Sequence, residues 1–140
     1  MAIELLEFLR DRHAGEPLGA FANTLLADVE EDRKVLRGIV DRTGSGMPVL
    51  KETAAWIGEK FNELKFRRGV FGAFEALEVL ALGLLGKRAL WRALETVAET
   101  DARLRGIDFG HLAERAEQQH SKVEPLRLQT ARAALMPAPE

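Results

Sequence analysis

The feature that most constrains this chain is the three-and-four spacing of its apolar residues, which persists along its length without any sustained alternation of β-branched residues. A repeat near 3.6 gathers the apolar side chains of each segment onto one face and calls for helices packed on helices, whereas a half-buried strand needs a repeat of two. Leu, Ala, Glu and Arg dominate the same segments and favour the helical state. The reading is an all-α protein with no sheet.

The helix boundaries follow from glycine, proline and capping residues. A short first helix is predicted from Ile3 to His13, stopping near Ala14-Gly15, and Pro17 suits the first turn of the next. That second helix runs to about Arg42 on the stripe Leu18, Phe21, Leu25, Val29, Leu36 and Ile39, with Asp32 filling the one missing slot. Gly44-Ser45-Gly46 ends it, and Pro48 helps to open a third helix through Leu50, Ala54, Ile57, Phe61 and Leu64. A fourth spans Val70 to Arg105, with Gly83 and Gly86 as bend points and Gly106 as its stop. The fifth starts at Asp108 as N-cap, with Ile107 and Leu112 in the two staple positions. It is expected to kink at Pro125 and continue to Leu135. Residues 1–136 are read as one bundle domain and 137–140 as a frayed tail. A chain of 140 residues buries roughly two-thirds of its unfolded surface, enough for a core without staples.

Composition removes several chemistries. Without cysteine there is no disulfide, thiolate nucleophile, Cys-ligated zinc or iron–sulfur cluster. With 20 basic residues against 22 acidic ones, the net charge of -2 exerts no general pull on nucleic acid. The longest strongly apolar stretch, Val79 to Gly86, is far short of the ~20 residues of a membrane span. The acids Glu4 and Glu7 stand where a signal peptide carries bases, so a cytoplasmic location is the expectation.

Polar residues on apolar stripes are the remaining signal. The inner stripe of the fifth helix reads Phe109, Leu112, Ala116, His120 and Val123, with Glu117 at its border. Glu117 to His120 is a Glu-x-x-His, a spacing that aims a carboxylate and an imidazole at one metal ion. On the fourth helix, Phe71, Phe74, Leu82 and Leu85 leave Glu78 in the open slot and Glu75 on a neighbouring part of the surface. The second helix adds Glu30, Asp32 and Arg33 as inward or bordering charge.

These motifs resemble the ferritin-like superfamily, whose di-iron and di-manganese members combine two inward Glu residues with two Glu-x-x-His motifs in a four-helix bundle. The resemblance implies a helical bundle with a short first helix and a helical crossover before the last two long helices. It implies a metal site of Glu75, Glu78, Glu117 and His120, holding iron or manganese in an oxygen- or peroxide-activating oxidoreductase. Glu30 is in register with a second Glu-x-x-His, but Arg33 stands where the imidazole should be, and a guanidinium stays protonated. The favoured reading is therefore a non-enzymatic bundle with no catalytic or cofactor-binding residues. Its metal site has decayed into a network of buried charges, and its role is structural or interactive. The short first helix further suggests a homodimer buried through Leu5, Leu6, Phe8 and Leu9.

Overall fold

The computed structural model describes residues 2–43 and 69–136, with side chains from 3 to 43 and from 72 to 136. Among them are four α-helices and no strand: α1 (Ala2–Arg12), α2 (Pro17–Thr43), α3 (Gly69–Ala98) and α4 (Phe109–Leu135). The third helix expected from Pro48 to Leu64, Trp56 within it, and the tail 137–140 lie outside the described residues.

Local chemistry explains each boundary. Gly15 takes a φ of 83°, a left-handed value that ends α1, and Pro17 opens α2 where its missing N–H is not needed. Gly19 lies against the His13 carbonyl, where a Cβ would collide with backbone, so α2 can follow α1 without a wider loop. Helix α3 stops at Ala98, earlier than Arg105. The intervening chain makes a 3₁₀ turn, Ala102–Leu104, capped by Asp101, and reverses at Gly106 with a φ of 88°. Burial of Leu104 explains the early break, since the turn tucks this residue into the core between helices. Asp108 caps α4 by accepting a hydrogen bond from the His111 N–H, and both Ile107 and Leu112 join the adjoining core as the staple requires. Pro125 lies inside α4, which continues as one helix to Leu135.

The apolar interior falls into two compartments. One unites Leu5, Leu6 and Leu9 of α1 with Leu18, Ala22, Leu25 and Leu26 of α2, Ala76, Leu77, Leu80, Ala81 and Leu84 of α3, and Val123 of α4. The other unites Ile39 of α2 with Trp91 and Leu94 of α3, Leu104, and Phe109, Leu112, Ala113 and Ala116 of α4. Trp91 and Phe109 meet there with ring centroids 6.0 Å apart. The early residues of α2 and of α3 share the first compartment and the late residues share the second, so α2 and α3 run parallel. Helix α4 meets the compartments in the reverse order and is antiparallel to both.

Three sequence expectations are corrected by this packing. Leu5, Leu6 and Leu9 belong to the chain's own core, which leaves Phe8, 37% exposed, as the one member of the expected dimer surface that faces outward. On α3 the buried stripe is Ala73, Ala76, Leu77, Leu80, Leu84, Trp91 and Leu94, while Leu82 and Leu85 are about half exposed. On α4 the core position is Gln119 and not His120. The reason is common to both helices. After Ala116 and before Val123, a step of three then four selects Gln119 and a step of four then three selects His120, and either order suits a helix.

Candidate functional site

The buried polar residues form a layer between the two apolar compartments. Asp32 and Gln119 are the buried polar residues among those described, at 2% and 4% exposure. Asp32 lies on α2 between Leu26 and Ile39, so its carboxylate takes up a position that the stripe would otherwise give to an aliphatic side chain. Lys87 of α3 donates through Nζ to Asp32 Oδ2 at 2.6 Å and to Gln119 Oε1 at 2.8 Å. Arg115 of α4 donates through Nη2 to Asp32 Oδ1 and through Nη1 to Glu31 Oε2 at 3.1 Å. Gln119 Nε2 reaches Asp28 Oδ2 at 3.5 Å. Both oxygens of the deepest carboxylate are thus held by cations from two other helices, as a buried charge requires.

Burial pushes the Lys87 ammonium below the usual lysine range, and Asp32 opposes that shift without cancelling it. The folded chain therefore sheds this proton at a lower pH than the unfolded chain. Below the lowered value both states hold the proton and this group's effect on stability is constant. Between that value and the ordinary lysine value the unfolded state binds more protons, so the contribution of Lys87 to stability rises with pH. Urea unfolding of the protein and of Lys87→Met through the alkaline range is expected to show the difference in stability, wild type minus variant, increasing with pH.

The expected metal ligands are placed differently. Glu117 is exposed and approaches Arg88 Nε at 3.7 Å, on the outer side of α4. His120 is half-buried with Nε2 3.6 Å from Glu124 Oε1. Glu78 accepts from Arg127 Nη1 at 2.5 Å, and the same guanidinium grips Glu124 through Nε at 2.8 Å and Nη2 at 2.9 Å. These hydrogen bonds, first that to Glu124 and then that to Glu78, raise the Arg127 pKa, and the Glu124 carboxyl is correspondingly held low. Glu75 is half-buried on α3. Among the described residues no three acids or histidines come together as a group able to hold a metal ion. Glu75, Glu78, Glu117 and His120 therefore do not fit the iron or manganese centre that the resemblance implies. Of the three residues expected as buried charge partners, Asp32 is buried, whereas Glu30 and Arg33 are exposed.

Lys87, Arg115 and Gln119 are the members of the layer that sequence reasoning missed. Two signals point to them. Lys87 is the first charge after the apolar run Val79 to Gly86, one turn before Trp91, and Arg115 and Gln119 are four residues apart on the face that also carries Leu112 and Val123. Comparison of the chain with protein-family models, curated proteins and solved structures finds no match.

Proposed function

We propose that this chain is a non-enzymatic helical-bundle protein of ferritin-like layout, with a structural or interaction role, in which side-chain cations neutralise the inward carboxylates that a di-metal protein would give to metal. The observation that carries this reading is the layer itself. Lys87 and Arg115 engage both oxygens of Asp32 from two helices, so two side-chain cations already stand against the carboxylate and supply the positive charge that a metal ion would bring. Arg127 pairs with one oxygen of Glu78 and with both oxygens of Glu124. The parallel run of α2 and α3, with α4 antiparallel to both, supports the layout, because a ferritin-like bundle runs its second and third main helices parallel.

A network of this kind contributes alignment more than net stability. Taking charges out of water costs several kcal/mol per ion, and hydrogen bonding between them roughly offsets that cost. What the pairing adds is a preferred register, since sliding one helix by a turn would leave Asp32 or Lys87 unpaired. A bundle so aligned has a fixed outer surface on which to present contacts.

The test is metal uptake. Protein purified without chelators is expected to contain no stoichiometric iron or manganese by elemental analysis, and excess iron(II) or manganese(II) should leave its melting temperature unchanged. Stoichiometric uptake accompanied by a shift of the His120 ring resonances would overturn the reading in favour of a metal-binding oxidoreductase.

A further inference from the structure

A groove of about 460 Å³ lies between the late turns of α2 and the start of α4, away from the buried layer, and is lined by Lys34, Gly38 and Arg42 on one side and His111 on the other, over Val35, Ile107 and Leu112. Its volume is in the range of small-molecule sites. Lys34, Gly38 and Arg42 are spaced four residues apart, so two long cationic side chains flank a bare glycine on one face of α2. A Cβ added at Gly38 would meet nothing within 4 Å, and the same holds at Gly106 opposite, so both glycines leave open space. Asp108 is the acid in the lining; its Oδ1 accepts from the backbone N–H of His111 as the cap of α4, and its single charge is outnumbered by those of Lys34 and Arg42. Arg42 donates one Nη1 hydrogen bond to the Arg105 carbonyl, at 3.3 Å, and keeps its other guanidinium donors.

The lining thus combines two basic side chains and an imidazole with an aliphatic floor. A carboxylate offers two oxygens, whereas a phosphate monoester offers three terminal oxygens and close to two negative charges, which matches three donors on two helices. The apolar floor suits the group that the phosphate is attached to. We propose that this groove binds a soluble phosphate monoester carrying a small apolar substituent, with Lys34, Arg42 and His111 holding the phosphate and Val35, Ile107 and Leu112 the substituent.

The probe is phenyl phosphate, titrated into the full chain and followed by amide chemical shifts. Saturable shifts at Gly38, Gly106 and His111 are expected. Inorganic phosphate, which lacks the ring, and benzoate, which lacks the third oxygen, should each bind about ten-fold more weakly. The double variant Lys34→Gln/Arg42→Gln and the separate variant Gly38→Leu should each lose about ten-fold in affinity for phenyl phosphate with the helical circular-dichroism signal unchanged. Gly38→Leu is the safer of the two for folding, because leucine is the better helix former and the position opens on space. Vesicles containing phosphatidic acid are expected not to capture the protein. The proposal is overturned if phenyl phosphate gives no saturable shift, if both variants bind it as well as the wild type, if inorganic phosphate binds equally well, or if the vesicles bind while the soluble ester does not.

Discussion

Asp32→Ala is expected to destabilise the protein by about 3–5 kcal/mol, because it removes the carboxylate hydrogen-bonded to the buried Lys87 ammonium, leaving Lys87 the neutral Gln119 amide oxygen and Arg115 the exposed Glu31. Chemical denaturation of purified variants measures this directly. A loss under about 1 kcal/mol would mean that the layer is solvated and aligns nothing. The companion variant removes all three charges at once, as Asp32→Leu with Lys87→Met and Arg115→Met. It is expected to lie within about 2 kcal/mol of the wild type, since nothing charged then remains buried unpaired and the remaining cost is the Gln119 amide oxygen that loses its Lys87 donor. The contrast between the single and the triple variant separates the worth of the network from the penalty of breaking it. Asn at position 32 falls between them, keeping an acceptor for one cation and losing the charge.

Leu6→Asp is the second large effect. Leu6 is fully buried among α1, α2 and α3 side chains, so the change removes an aliphatic group from a packed site and places a carboxylate there without a partner. A loss exceeding about 4 kcal/mol is expected, enough to unfold most marginally stable domains. Phe8→Asp is the control on the outward side of the same helix, and it should cost under about 2 kcal/mol. The pair of variants also decides between two roles for α1. If Leu6 lay at a surface between copies, Leu6→Asp would yield a folded monomer with a sharp melt. Burial in the chain's own core predicts a poorly folded product at every protein concentration, which circular dichroism and light scattering distinguish.

Much of the architecture was legible in the residues themselves. Pro17, Gly15 and the Asp108 cap with its Ile107–Leu112 staple marked helix ends because each answers a backbone requirement that does not depend on the rest of the fold. Asp32 was legible for a different reason. It is the single polar residue in an otherwise apolar stripe on a helix whose outer face is densely charged, so only one face of α2 could turn inward. Helix α3 offered no such contrast. Its middle is apolar nearly all round, which makes Leu82 and Leu85 look as buried as Leu80 and Leu84, and the packing of α4 makes the choice. The same ambiguity moved the core position of α4 from His120 to Gln119, and with it went the convergence of Glu117 and His120. A Glu-x-x-His motif fixes two side chains relative to each other but says nothing of their angle to a neighbouring helix. Spacing along one helix therefore located the charged interior on α2 and missed the partners that α3 and α4 supply.

The division of the interior by the Asp32 layer has a consequence for how this sequence can change. Side chains in contact couple energetically, while those separated by more than about 7–10 Å usually act independently. Leu6, Leu25 and Leu77 touch one apolar compartment, and Trp91, Leu94 and Phe109 touch the other. A volume lost in one compartment has to be restored by a neighbour in that same compartment, and the far one neither helps nor suffers. The two ends of the bundle are thus free to drift in sequence along separate courses, each repacking within its own walls, with the charged layer as the boundary that both must keep.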